Sequence, residues 1–590
     1  MSSVVPLNDF PRNNFPKGYR LVTKGDAPGV YVGDKKNSEL IAGPIRVTAF
    51  TKDELTSIHG MVVMWEDAHS QQHEEAFPLD VLHKDAKVLA QDLELRGAIV
   101  VPGKEQKLLH YLAGFDRKRT PWIKSTPKVG WLDASEDGLI YVLPDPAGGV
   151  IAVNKTERVI FQPEQHSPST ATMHPQGTLL DWQQHVAEPC RGNPFLVFSL
   201  CLALAGPLVK AARAESGGVH FYGRSSRGKT TAAQVAASVF GCGADPSDHG
   251  LSYVQKWNAT VNAFEALLAA HNDGLLVLDE IHTCDAKDFG SVIYNLAGGR
   301  GKSRLDKNAG LRQQRTWRAL VLSTGEKSAR QKIEEENKRI FDGQRLRLLD
   351  VPTDHGIITD SHGSDPGDFA LSLKRACARY YGTAGTAFLH GIITKYETSH
   401  ALAAVVQREL DNCESTLAPP DLGPVERRGL RRFALAQVAG QLACELGVLP
   451  FDHDEIAQAV QAVTRAWLSD DVTFPESVRG AQQVQGFIQR HQARFRAADN
   501  DHETPRDLAG YIGNGLYLFT AQGFSEAVGG YDVKDVAREL RTRELLFSNE
   551  PDRFVSKHQI RIGGEDKRLR LYAVKDDILE HDFSAQTTEP

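Results

Sequence analysis

The chain has 590 residues, with 68 Lys and Arg against 75 Asp and Glu, for a net charge of −7. That length exceeds one hydrophobic core and implies about three or four domains. The mildly acidic balance excludes a broadly basic nucleic-acid coat, so any nucleic-acid contact has to come from local basic patches.

The seven cysteines form no C-x-x-C pair and have no histidine pair beside them. This argues against a zinc site or a disulfide framework and fits a reducing, cytoplasmic setting. The opening MSSVVPLNDFPRNNFPKGYR lacks the apolar stretch of a signal peptide. From Tyr19 to about Val153, β-rich runs such as GVYVG, IRVTAF and GMVVMWE alternate with turn residues. Two helical patterns, PLDVLHKDAKVLAQDLELRG and EQKLLHYLAGF, interrupt them. Residues 1–170 therefore read as a β-rich α+β domain with no catalytic cluster. The Pro/Ser/Thr-rich run FQPEQHSPSTATMHPQG reads as a linker. Residues 171–215 read as a helical linker. Its apolar run NPFLVFSLCLALAGPLV is too short for a membrane span and reads as a buried helix, so no membrane partner is expected.

Residues 216–354 alternate strand and helix and carry the chemistry. HFYGRSSRGKTTAAQV contains Gly-x-x-x-x-Gly-Lys-Thr between a strand and a helix, the context a phosphate-binding loop needs. Gly223, Ser225, Ser226, Gly228 and Thr231 belong to the cradle, Lys229 would reach the β- and γ-phosphates, and Thr230 would ligate magnesium. ATP and Mg2+ are the expected cofactors. DGLLVLDEIH is a buried strand ending in two carboxylates. Asp279 would hold the magnesium and Glu280 would act as general base. RALVLSTGE ends in Ser323-Thr324, where a hydroxyl such as that of Thr324 can sense the γ-phosphate.

Between these strands lies GGRGKSRLDKNAGLRQQRTWR, whose DKNAG is a turn signal between two basic arms. Lys302, Arg304, Lys307 and Arg312 are the candidate nucleic-acid contacts of this hairpin; a solvated charged loop is the alternative. Arg339 and Arg347 are the two candidates for an arginine finger acting on a neighbouring subunit. A finger in trans implies a head-to-tail interface that closes into a ring. Residues 355–475 read as a helical subdomain. Residues 476–590 contain DVKDVARELRTRELL and FVSKHQIRIGGEDKRLRLYAV, a helix and a basic hairpin. They read either as a winged helix with Lys557, Arg561, Lys567, Arg568 and Arg570 on the wing, or as a small α+β interaction domain.

In order, HFYGRSSRGKTTA, KWNATVNAFEALLAAHNDGLLVLDEI, LAGGRGKSR and WRALVLSTGE resemble the family called domain of unknown function 927. The resemblance runs from about Ile41 through Asp354. It implies an AAA+ core similar to the MCM and superfamily 3 ring helicases, in a self-loading helicase of mobile genetic elements. It also implies that Lys229, Thr230, Asp279 and Glu280 carry the nucleotide chemistry. Related ring helicases usually have Asn where this chain has Ser323-Thr324. Asn258, Thr260, Asn262 and Glu265 match a family segment without an assigned role. The expected fold class is thus α/β and α+β multidomain, with a P-loop ATPase core. The expected function is an ATP-dependent DNA helicase or translocase, a homo-oligomeric, hexameric ring, working with a separate primase or single-strand-binding protein. The rivals are an ATP-switched replication initiator and a protein-remodelling ATPase.

Overall fold

Continuous apolar runs decide the centre of the fold. Five parallel strands, β1 (Gly217–Tyr222), β2 (Gln255–Lys256), β3 (Gly274–Asp279), β4 (Ala319–Gly325) and β5 (Leu348–Pro352), lie in the order β2-β3-β4-β1-β5. Strands β3 and β4 are buried along their whole length, as a parallel sheet covered by helices on both faces requires. One face carries α1 (Pro194–Ala205) and α2 (Lys229–Ser238), with the Phe221 ring 5.2 Å from that of Phe195. The other carries α3 (Val261–Ala270) and α4 (Phe289–Gly298), which enclose Trp257, Leu276, Leu278 and Val321. The apolar run of the sequence is α1 itself, fully buried from Phe198 to Ala205. No helix among the described residues is long and apolar enough to cross a membrane. All seven thiols are free and six of them are buried.

The structure is a computed structural model. It describes residues 7, 14–25, 27–34, 37–53, 56–132, 138–144, 150–152, 159–162, 172–247, 250–284, 289–305, 314–335, 342–420, 422–469, 476–500, 507–548, 553–581 and 583. They fall into two units, Met1–Trp467 and Leu468–Pro590.

Within the first unit, a mixed five-stranded sheet runs in the order Val159–Phe161, Trp122–Thr126, Ile45–Asp53, His59–Glu66, Gln72–Pro78. It packs on helices Ala86–Leu95 and Glu105–Ala113 through a core that includes Phe50, Trp65, Leu93 and Tyr111. After the central sheet come α5 (Pro366–Arg379), two further helices, and α6 (Pro424–Glu445), which packs on α1. From α6, the buried Arg432 guanidinium donates to the carbonyls of Gly218 (3.2 Å) and Leu346 (3.1 Å). Burial pulls its pKa down to about 10. A Cβ at Gly217 would stand 2.3 Å from Arg432 Nη2, so that position has to be glycine.

The central sheet is tied at one turn to a small three-stranded antiparallel sheet of Gly130–Trp131, Ile140–Val142 and Val150–Ala152. Asp273, just before β3, is fully buried and holds a left-handed φ of 54°. Its carboxylate accepts from the backbone N–H of Trp131 (3.1 Å) and from Arg318 Nε (2.8 Å). Its carbonyl accepts from Tyr141 Oη at 2.8 Å.

The second unit has its own core around Phe487, Phe519, Phe524 and Leu540. Its hairpin, Ser556–Ile562 with Glu565–Lys575, turns at Gly563-Gly564, whose φ values are 65° and 80°. Two positive φ values in succession are what a two-residue type I′ turn demands.

Asp273→Ala would remove the carboxylate that accepts from Arg318 and from a buried backbone N–H. It is expected to cost roughly 1–3 kcal/mol. A thermal-unfolding midpoint equal to that of the parent would contradict this role.

Candidate functional site

Because the five strands are parallel, their carboxyl ends open at one edge of the sheet, the place where open α/β sheets receive ligands. Period-two alternation then sorts the side chains. Leu276 and Leu278 pack among the residues under α3 and α4, so Asp279 turns toward the α2 side. The register pairs Leu278 with Ser323 and His220 with Ser323. Ser323 stays on the α3 side: its Oγ accepts from Trp257 Nε1 (2.9 Å) and bonds His220 Nδ1 (2.8 Å). The next residue, Thr324, therefore faces the α2 side, and its hydroxyl donates to Asp279 Oδ1. Of the two hydroxyls ending β4, only Thr324 reaches the cavity.

The loop between β1 and α2 closes over that edge. Gly223 (φ 147°), Ser226 (φ 60°) and Gly228 (φ 86°) hold the positive φ values that turn the chain back into α2. Ser225, Ser226 and Arg227 are exposed, whereas Lys229 is 8 % exposed. Lys229 Nζ donates to the carbonyls of Gly223 (2.9 Å) and Arg224 (2.7 Å). Burial lowers its pKa, against the opposing charges of Glu326 and Asp279. Burial raises that of Asp279 and the neighbouring Glu280 charge adds to it, while the hydroxyls of Thr324 and Thr230 pull the other way. Glu280 also has a left-handed backbone, φ 62° and ψ 66°. Such a conformation in a non-glycine residue is concentrated at functional sites. Its carboxylate lies 3.6 Å from Lys256 Nζ.

These groups line a cavity of about 570 Å³. Its Ser225-to-Thr231 wall, with Lys229, has the chemistry to hold an anion carrying several phosphates. Thr230 and Asp279 are oxygen donors of the kind a magnesium ion takes, and the residues present fit both groups. The cavity also includes residues that sequence reasoning missed. Glu326, bonded by the Ser225 hydroxyl, and His282 follow the ends of β4 and β3 by one and three residues and carried no motif of their own. His355, Ile358, Ala370 and Lys374 come from a distant segment and α5, for which no local signal exists.

The basic segment is only partly as expected. Its arms pair antiparallel at the base, with Arg300 opposite Thr316 and Gly301 N–H donating to the Arg315 carbonyl at 2.8 Å. Lys302 is exposed. Arg304 is not a free contact: its Nη1 lies 2.8 Å from the buried Glu265 carboxylate. Lys307, Arg312 and the finger candidate Arg339 lie outside the described residues. Arg347 precedes β5 rather than sitting on it, at the amino edge of the sheet, away from the cavity. Its guanidinium stacks on the Tyr294 ring at 4.0 Å.

Residues 25–316 match the family model described as Domain of unknown function (DUF927). No curated protein matches. A solved structure described as "SCCmec type IV Cch - active helicase" is similar over 96% of this chain and 99% of that one, with a TM-score of 0.69 and 18% identity. At that identity the likeness is one of fold. "The A form apo structure of NrS-1 C terminal region-CTR" aligns over 90% of this chain and 96% of that one at 9% identity, with a TM-score of 0.29, which carries no argument.

Two buried histidines make stability depend on pH. Burial lowers His220 and His271 from 6.5 to about 4. The unfolded chain therefore takes up these protons first, and stability is expected to fall as pH drops from 6.5 toward 4. Each group accounts for on the order of 3 kcal/mol. His220→Asn is expected to flatten the slope of urea-unfolding free energy in that window; a slope unchanged from the parent would contradict the assignment.

Proposed function

We propose that this chain is an ATP-hydrolysing, magnesium-dependent DNA helicase or translocase of the AAA+ type. It would act as a head-to-tail ring, hexameric by the resemblance, in the cytoplasmic replication of a phage, plasmid or integrated mobile element. The observation that carries the reading is the meeting of Lys229, Thr230, Asp279, Glu280 and Thr324 at one strand edge. It is supported by β4, which lies between the strand feeding the glycine loop and the strand ending in Asp279-Glu280. The fold shared with a structure described as an active helicase supports it further.

The residues divide the work as follows. Backbone amides from Gly223 to Thr231 and the Lys229 ammonium hold the triphosphate and neutralise charge that grows at the β- and γ-phosphates. Thr230 and Asp279 would hold the magnesium, which would supply further charge neutralisation when bound. Glu280 takes the proton of the attacking water. Thr324 donates to Asp279 Oδ1 and so fixes the orientation of that carboxylate. Arg347, pointing away from its own cavity, is available only to a neighbour; Arg339 remains the other finger candidate. The exposed Arg300 and Lys302 would track the strand's phosphates. The exposed cations of the second unit's hairpin, Lys557, Arg561, Lys567, Arg568 and Arg570, suit the wing of a winged helix on duplex DNA. A primase or single-strand-binding protein would come from other chains.

Lys229→Ala is expected to lower ATP turnover by about two orders of magnitude or more. Single-stranded DNA is expected to stimulate the parent, with a log–log salt dependence of about −0.7 per phosphate contact. Turnover retained in Lys229→Ala overturns the nucleotide assignment. Turnover indifferent to DNA favours the protein-remodelling alternative.

A further inference from the structure

Helix α3 begins beside the cavity and ends up holding the basic arm. Thr260 caps it by accepting from Ala263 N–H. One turn in, Asn262 and Glu265 share a face, three residues apart. Glu265 is 2 % exposed. Its Oε1 accepts from the Lys302 backbone N–H at 3.1 Å. Its Oε2 lies 2.8 Å from Arg304 Nη1, as an ion pair without an aligned hydrogen bond. Arg304 Nη2 donates to Asn262 Oδ1 at 2.6 Å. A Cβ at Gly301 would stand 2.7 Å from Glu265 Oε2, so the glycine in GGRGKSR admits the carboxylate. One buried carboxylate thus secures three consecutive features of the arm: Gly301, the Lys302 backbone and the Arg304 guanidinium.

The chain just before α3 is anchored at the cavity. Trp257 N–H donates to the Asp279 carbonyl (3.2 Å), and Trp257 Nε1 donates to Ser323 Oγ (2.9 Å). Lys256 Nζ lies 3.6 Å from Glu280 Oε2. That ion pair is half-exposed on both sides and is weak by nature, whereas the Glu265 clamp is buried. Load on the arm would therefore be passed through the clamp and relieved at the Lys256–Glu280 contact.

We infer that Glu265 is a positioning residue that couples nucleic acid on the basic arm to Glu280, with α3 as the rigid link. The inference rests on the function proposed above. It gives Thr260, Asn262 and Glu265 a shared role as cap, second anchor and clamp. It also moves Arg304 from the phosphate-contacting set to the coupling set, with Lys302 and Arg300 left to face the strand. Asn258 is exposed, and nothing in the structure assigns it a part.

The test uses the full chain, a single-stranded oligonucleotide, and three readouts: ATP turnover alone, turnover with the oligonucleotide, and oligonucleotide affinity by anisotropy. Glu265→Gln keeps the shape and the Lys302 hydrogen bond while removing the charge. It is expected to leave basal turnover within about twofold and affinity within about threefold, and to lower the stimulation ratio at least about fivefold. Asn262→Ala, an exposed change that does not threaten folding, is expected to lower the ratio in the same direction. In a Lys256→Met background, Glu265→Gln is expected to add nothing, a result that a merely structural role does not produce. A parent that is stimulated, with both single variants equally stimulated, overturns the inference alone. A parent that DNA does not stimulate overturns the proposed function, and the inference with it.

Discussion

The site depends on one constraint: parallel strands alternate their side chains and all end at the same edge. From that it follows that Asp279, not Leu278, meets the glycine loop, and that Thr324, not Ser323, meets Asp279. The hydrogen bonds of Ser323 to Trp257 and His220 fix the parity of β4. A one-residue slip would send both reactive groups under α3 and α4. The apolar interior is therefore also the device that aims the polar groups.

Much of this was legible because it is local. The loop from Gly223 to Gly228, the helix behind it and the strand ending in Asp279-Glu280 each announce themselves within about ten residues, since positive φ and buried alternation demand particular residue types. What needs long-range closure was not legible. The Ile358, Ala370 and Lys374 wall arrives from a loop and a helix far along the chain. Arg304 counts as a free cation in any tally of charge. Only the fold brings Glu265 to it and glycine at 301 makes room. Likewise, Arg347 reads as a finger by position, and only the sheet shows that it lies at the edge opposite its own cavity, with its guanidinium on Tyr294, a place from which it could serve only a neighbour.

The acidic balance of the chain sharpens rather than contradicts a nucleic-acid role. Cations that Glu265 and Asp273 engage are structural: Arg304 holds the arm and Arg318 holds its root. The arm is thereby tied at both ends to buried carboxylates, one on the cavity-linked helix α3 and one at the turn that also binds Trp131 and Tyr141.

The most direct measurement of the central claim is strand displacement on forked DNA bearing a 5′ or a 3′ tail, with ATP and magnesium, compared with Lys229→Ala. The account predicts ATP-dependent release of the labelled strand from one tail polarity and none from the variant. Hydrolysis stimulated by the fork, without displacement of either strand, would contradict it and point to an ATP-switched initiator.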